Sequence, residues 1–319
     1  MLRKIAAVLL CAVILSGVAR AGQQYISIAT SSAGGTFSIV GTAMADVINK
    51  NVPSVSANIE ITGGSSENIL LAAGNNVEIA MTASDVMFLA LNGEGSFEGK
   101  KVDNLKGIMG GIMNTMQIYT LRDGPIKKME DLRGKKISVG PPGSVGNDGM
   151  RIILEAYGME INKDWTPEYL SHGDGAEALT DGNVDAVCIM TIAPAGAVST
   201  AAASKPLRLL DISDEKMREI LEKNKFYIHS SVPAGIYKGQ DEAVANAIGS
   251  ATLLVCNESL SEDLVYQITK ALYANTAELV KAYPQCSEFV PENAHRGMTG
   301  LELHSGAAKY LKEIGKDKQ

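Results

Sequence analysis

The chain has 319 residues, with 29 Lys and Arg against 36 Asp and Glu, a formal charge of −7. That length allows two domains of ordinary size. The acidic balance argues against nucleic acid or an anionic lipid surface as partner, though not against a small anionic ligand, which answers to the local field of a cleft.

The first element to recognise is one to set aside. Arg3 and Lys4, the apolar run Ile5 to Val18, and Ala19-Arg20-Ala21 have the order of a secretory leader, so residues 1–21 are expected to be removed on export. The apolar run falls short of the roughly 18 to 20 residues that a membrane-spanning helix needs. Leu10 before Cys11 is too bulky for a lipoprotein site. Cleavage leaves 298 residues with 26 basic and 36 acidic side chains, a formal charge of −10, and a periplasmic location is expected.

Strand-like runs then alternate with helical patterns, the signature of an α/β architecture. Ile26 to Ala29 leads through Ser31-Ser32-Ala33-Gly34-Gly35-Thr36 into a helix carrying Val40, Ala43, Met44, Val47 and Ile48. Ile59 to Ile61 leads through Thr62-Gly63-Gly64-Ser65-Ser66-Glu67-Asn68 into a second helix ending at Gly74. Val77 to Met81 reads as a strand buried on both faces. Ile137 to Val139 leads through the loop Gly140 to Asn147 into a helix with Met150, Ile153, Leu154 and Tyr157. Val184 to Met190 and Leu207 to Asp211 are further strand runs, while Glu242 to Val255, Glu262 to Tyr283 and Ser305 to Ile314 read as helical.

The three glycine and hydroxyl loops share one chemistry. A helix N-terminus leaves N–H groups unpaired and partly positive, and glycine lets a ligand approach that backbone, so each loop suits a small anion or serves as a plain strand-to-helix turn. The third is no phosphate loop: Gly146 is followed by Asn147 and Asp148 where Lys and Ser or Thr are needed. Gly34-Gly35-Thr36 lacks dinucleotide spacing. His172, His229, His295 and His304 are scattered away from metal-ligand spacing, and no Gly-x-Ser-x-Gly elbow is present. No cofactor and no catalytic residue is expected. Of Cys188, Cys256 and Cys286, the last two are the candidates for a disulfide in an oxidising compartment.

Asp123-Gly124-Pro125 and Ser231-Val232-Pro233 mark the expected crossings between halves, giving one discontinuous lobe, 22–121 plus 233–319, and a second lobe, 122–232. Two crossings make a hinge, and a cleft between hinged lobes is a common ligand site.

Ile28-Ala29-Thr30 with Gly34-Gly35-Thr36, Thr62-Gly63-Gly64-Ser65 with Glu67-Asn68, Asp131-Leu132-Arg133-Gly134-Lys135, Pro142-Gly143-Ser144, Asp185-Ala186, Pro233-Ala234-Gly235 and Leu303-His304 together resemble the TAXI-type solute receptors of TRAP transporters, in consistent order along the mature chain. The resemblance implies a two-lobed α/β periplasmic binding protein of the type II kind. It would be monomeric, would close on a small carboxylate such as glutamate or 2-oxoglutarate, and would deliver it to TRAP membrane subunits. It nominates Gly35, Thr36, Ser65, Glu67, Asn68, Gly143 and Ser144 as ligand contacts, with Glu67 as an alternative clamp on its own loop. The chain departs from the family's pattern where Phe37-Ser38-Ile39 stands for Tyr-Tyr-Pro and Ser144-Val145-Gly146 for Ser-Gly-Thr, so Thr82, Gln117 and Thr191 are nominated as substitute polar contacts. A periplasmic enzyme or a sensory module on the same scaffold is the alternative.

Overall fold

The computed structural model describes residues 23–31, 33, 35–140 and 145–317. The leader expected at 1–21, and with it Cys11, lies outside these residues. In chain order the elements are β1 (Gln24–Ala29), α1 (Thr36–Asn51), β2 (Val55–Glu60), α2 (Ser65–Ala73), β3 (Ile79–Ala83), α3 (Ser84–Asn92), β4 (Leu105–Leu121), β5 (Lys136–Ser138), α4 (Val145–Ala156), β6 (Thr166–Glu168), α5 (His172–Asp181), β7 (Ala186–Thr191), α6 (Gly196–Ser204), β8 (Leu207–Leu209), α7 (Asp214–Lys223), β9 (Ile228–Val232), β10 (Val244–Asn257), α8 (Glu262–Ala274), α9 (Thr276–Ala282) and α10 (Ser305–Glu313).

One hydrogen-bonded sheet runs β2-β1-β3-β10-β4-β7-β5-β6, with β8 also on β4 and β9 also on β10. Its flanks are parallel, β2-β1-β3 on one side and β7-β5-β6 on the other. They are joined through antiparallel β10 and β4. Parallel neighbours need helical crossovers, and those crossovers cover both faces. The architecture is therefore the mixed α/β one that the alternating pattern implies.

β4 and β10 are the long strands, and each serves both flanks. Residues 105–115 of β4 pair with β10, while 115–121 pair with β7 and β8. In β10, residues 244–249 pair with β9, and 252–256 pair with β3. The core divides accordingly. Ile108, Met109 and Ile112 pack with α1, α8 and α10, whereas Met116, Ile118 and Ile248 pack with α4 and β5. The chain thus passes from one half to the other inside these two strands. Asp123-Gly124-Pro125 is instead a turn beyond the far end of β4, where the Gly124 N–H donates to the Leu121 carbonyl at 3.0 Å, and Ser231-Val232 is the end of β9.

The helix expected over Glu242 to Val255 is corrected to strand β10. All eleven residues from Ala247 to Asn257 are buried, so the run shows neither period 2 nor a solvent face, and a short apolar stretch buried all round has no helical or strand signature. β4 had no counterpart among the expected elements for the same reason: Gly107 through Gly111 and Thr115 through Thr120 are buried without alternation.

The expected Cys256–Cys286 bridge is also corrected. Both are free, fully buried thiols in the same apolar cluster. Cys256 is held in β10 opposite Ile79 and Lys106, and Cys286 in a short turn of 3-10 helix, Pro284–Glu288. Each behaves as a small hydrophobe. Cys188 is free and buried as well. Among the described residues no helix is long and apolar enough to cross a membrane.

Candidate functional site

The N-termini of α2, α3 and α4 border one cavity, whereas the first residues of α1, Gly35 and Thr36, are not among those lining it. Gly35 caps α1 with extended backbone and no side-chain hydrogen bond, so the helix begins at Thr36 with its first N–H groups uncapped by a side chain. Both residues are half-buried.

The second loop is held by its own polar groups. Gly64 sits at φ +107°, a conformation open chiefly to glycine. The Thr62 hydroxyl donates to Asn68 Oδ1 at 2.5 Å, and Asn68 Nδ2 donates to the carbonyls of Thr30 and Met81 at 2.6 and 2.7 Å. Asn68 is wholly buried and ties β1, β3 and the loop together. The Glu67 carboxylate accepts the Gly63 N–H at 2.6 Å, and Ser65 Oγ accepts the Ala83 N–H at 3.0 Å, leaving the hydroxyl proton as a free donor.

Next to this loop lies a cavity of about 780 Å³. Its walls are Gly63, Ser65, Ser66 and Glu67 from the second loop, Asp85, Val86 and Leu89 from α3, Val145, Asp148, Arg151 and Ile152 from α4, and Phe226 and Tyr227. It therefore has α2 and α3 of one half on one side and α4 of the other half opposite. Phe226 also meets Phe88 of α3, which does not itself line the cavity, with ring centroids 6.0 Å apart.

α4 presents two faces with different jobs. Met150, Ile153 and Leu154 are buried in the core, and 145, 148 and 152, with 151, point to the cavity at i, i+3 and i+4 spacing. The helix lies hard against the crossing strands: a Cβ on Gly149 would come within 2.3 Å of Met116 and 3.2 Å of Ile248. Arg151 pairs with Glu155 at 3.0 Å in an exposed contact. Asp85 is buried, and its carboxylate accepts the Ser250 hydroxyl at 2.6 Å. Burial pushes that carboxyl above the usual range, against the pull of Ser250 and the first N–H groups of α3. Burial likewise pushes the Tyr227 phenol far up, helped by the negative charges of Asp85 and Asp148 and opposed by Arg151.

Of the remaining nominated residues, Thr82 is fully buried in β3, its hydroxyl directed to the Ala83 carbonyl at 3.3 Å. Gln117 is buried in β4. Its Nε2 donates to the Thr191 carbonyl at 3.2 Å and its Oε1 accepts the Tyr237 hydroxyl, which in turn accepts the Ala195 N–H at 2.7 Å. Thr191, half-buried, ends β7. Thr82 and Thr191 lie near strand ends and Gln117 within β4, and none of the three lines the large cavity. Gly143 and Ser144 lie outside the described residues.

A second cavity, about 580 Å³, lies on the crossing strands beside Thr115, Ser230, Glu288 and Arg296. Its polar groups answer one another: Thr115 and Ser230 hydroxyls are 2.6 Å apart, and the Arg296 guanidinium donates to Glu288, Asn293 and the Gly111 carbonyl. The larger cavity, bounded by helix N-termini and carrying Arg151, is the candidate site.

Sequence reasoning reached Ser65 and Glu67 but missed Arg151, Phe226 and Tyr227. A signal existed for each. Arg151 is the basic residue nearest the third loop in a helix whose apolar stripe lies elsewhere, and Phe226-Tyr227 is an aromatic pair in a chain with 5% aromatic residues.

The chain belongs to the NMT1-like family, whose model matches residues 28–315. Its fold is similar to that of a TctC solute binding protein from Polaromonas, with TM-score 0.58 and 16% identity over 92% of this chain and 98% of that one. It is also similar to the periplasmic aliphatic sulphonate binding protein SsuA from Escherichia coli, with TM-score 0.50 and 15% identity over 83% and 77% of the chains. A third similar structure, XAC2383 from Xanthomonas citri bound to ATP, has TM-score 0.53 and 8% identity over 92% and 96%. The fold is that of the periplasmic solute-binding proteins.

Proposed function

We propose that this NMT1-like family member is a periplasmic solute receptor that closes on a small organic ligand bearing a carboxylate. The ligand is an amino acid such as glutamate or a dicarboxylate such as 2-oxoglutarate, handed on to TRAP membrane subunits. The observation that carries the reading is the 780 Å³ cavity with the N-termini of α2 and α3 on one wall and α4 with Arg151 on the other. Helix N-termini and a guanidinium favour a carboxylate, and closure would shield those hydrogen bonds from water. The lobes in this reading are 23–114 with 250–317, and 115–249, bending where β4 and β10 cross.

The family membership, the fold and the TAXI-type resemblance support a receptor; the TRAP partnership rests on the resemblance. Calorimetric titration of the mature protein against amino acids and dicarboxylates tests the ligand class: binding at micromolar concentration or below with a raised Tm is expected. No heat and no shift with any small carboxylate overturns it. Uptake into vesicles carrying the TRAP subunits, dependent on the receptor and an ion gradient, tests the partnership.

A further inference from the structure

The two halves are joined by the chain in β4 and β10, and a third connection between them is not covalent. β7 ends at Thr191, opposite Thr115 where β4 leaves the first half. Cys188 and Ile189, just before that end, pack in the apolar clusters of the second half, and so do Ala195 and Val198 just after it. Ile192 does not. It is buried in the cluster of the first half, the one that holds Ile112, Phe289 and the apolar stripes of α1 and α8. Ala193 lines the second cavity together with Glu288 and Arg296, which are also of the first half. The chain therefore leaves the core of one half, sets a single side chain into the core of the other, and returns within four residues.

Such a short excursion is held in place by a buried polar clamp at both of its ends. Gln117 Nε2 donates to the Thr191 carbonyl at 3.2 Å, and the Ala195 N–H donates to the Tyr237 hydroxyl at 2.7 Å. The Tyr237 hydroxyl in turn donates to Gln117 Oε1, so one side-chain pair grips both ends. Gln117 and Tyr237 are both buried, and hydrogen bonds shielded from water hold their geometry firmly. A segment pinned at both ends has little conformational freedom left to lose, which directs Ile192 into its seat. Burial of an isoleucine is a substantial attraction, and this one exists only while the halves stand together as they do here.

We propose that Thr191–Ala195 is a detachable third joint between the halves, in which Ile192 is the bolt and Gln117 with Tyr237 are the positioning residues that aim it. With Ile192 seated, β4 and β10 are braced at the point where they cross. With Ile192 withdrawn, they alone govern the angle between the halves. The polar groups of Gln117 are thereby occupied in holding the segment. This goes beyond the receptor reading and needs no ligand for its test.

The test is the distance between spin labels in the ligand-free mature protein, measured by double electron–electron resonance. Labels on Asp46→Cys and Glu222→Cys, exposed on α1 and α7, report across the halves; labels on Asp46→Cys and Lys312→Cys, both in the first half, are the control. The native thiols are buried and stay unlabelled. Ile192→Ala should move the mean distance across the halves by more than about 2 Å, the scale of a hinge rearrangement, and leave the control distance unchanged. Ile192→Val keeps a branched apolar side chain and should hold the wild-type distance. Tyr237→Phe, which removes the clamp's shared hydroxyl and little volume, should shift it in the same direction as Ile192→Ala. An unchanged distance across the halves in folded Ile192→Ala overturns the proposal, even if Tm falls, because a merely structural side chain would do that. So does an equal shift in the control pair, or a shift in Ile192→Val as large as in Ile192→Ala. Should Ile192→Ala fail to fold by circular dichroism, an unchanged distance in Tyr237→Phe overturns it. Each of these failures leaves the receptor reading standing, and failure of every small carboxylate to bind leaves the joint standing.

Discussion

The Ser250 hydroxyl, on the strand that carries the chain back between the two halves, donates to the buried carboxylate of Asp85 at the start of α3, 2.6 Å away. Ser84 joins the same cluster, its hydroxyl 3.2 Å from Ser250 and accepting the Ala251 N–H at 2.9 Å. The cleft wall and the crossing strand are thus fastened by a group that burial drives toward its neutral form. The folded state holds the proton at pH values where the unfolded chain, titrating near 3.8, has released it. Stability from this group therefore falls as pH rises above about 4, and reaches its lowest level once Asp85 is ionised in the folded protein. In ligand-free protein, the stability of Asp85→Asn relative to wild type should climb from pH 4 to pH 7. Urea unfolding at a series of pH values measures it; a flat or falling difference would contradict the assignment.

The Phe88 and Phe226 rings form a tilted pair between α3 and the segment that leads into β9, and Phe226 also packs on Tyr227 with centroids 4.6 Å apart. An aromatic pair of this kind contributes about 0.5–1.5 kcal/mol beyond its buried area. Since the contact joins the two halves, its loss should shift the balance between closed and open forms more than it unfolds either half. Phe88→Leu and Phe226→Leu should each enlarge the radius of gyration in X-ray scattering and weaken ligand binding several-fold, with Tm little changed. A double mutant whose loss equals the sum of the singles would mean the rings act independently.

How far the fold is legible in the sequence depends on whether an element keeps a solvent face. α1 and α8 do, and their stripes at Val40, Met44, Val47 and at Leu264, Val265, Ile268 mark them. The parallel strands β1, β3 and β7 are readable as short apolar runs before glycine or hydroxyl loops. β4 and β10 are not, because they are enclosed by strands on both edges and helices on both faces, which erases periodicity. With them went the place where the chain crosses between halves. The site divides in the same way. Residues of the glycine loops are visible because their backbone demands glycine, whereas Arg151 and Tyr227 become neighbours only through the docking of α4 on β4 and β10.

The three buried cysteines give a direct chemical check. Burial pushes the thiols of Cys256 and Cys286 up to about 12 and that of Cys188 further still, so none supplies thiolate at neutral pH, and none is exposed to a reagent. Native protein should give no reaction with Ellman's reagent over minutes, and the urea-unfolded mature chain should give three thiols. Reducing agent should leave Tm unchanged. One thiol after unfolding, with a reductant-sensitive Tm, would restore the bridge between Cys256 and Cys286.

A close approach of two helix backbones yields a large stability effect. Gly306 in the first turn of α10 lies against the backbone of α8: a Cβ there would come within 2.3 Å of the Glu262 carbonyl oxygen and 2.6 Å of the Tyr266 nitrogen. Neither atom belongs to a side chain that can swing away, so Gly306→Ala must push the two helices apart. The movement would also disturb His304, whose Nδ1 caps α10 by accepting the Gly306 N–H at 3.2 Å and whose Nε2 reaches the Leu260 carbonyl at 3.0 Å. Overpacking of this kind costs about 1–3 kcal/mol, and a lost cap adds about 1 kcal/mol. Gly315→Ala, at φ +70° with open space around it, should cost less, because only local backbone strain is involved. Chemical denaturation of the two variants should rank them in that order, with Gly306→Ala the more damaging; the reverse ranking would show that α10 and α8 are not in backbone contact.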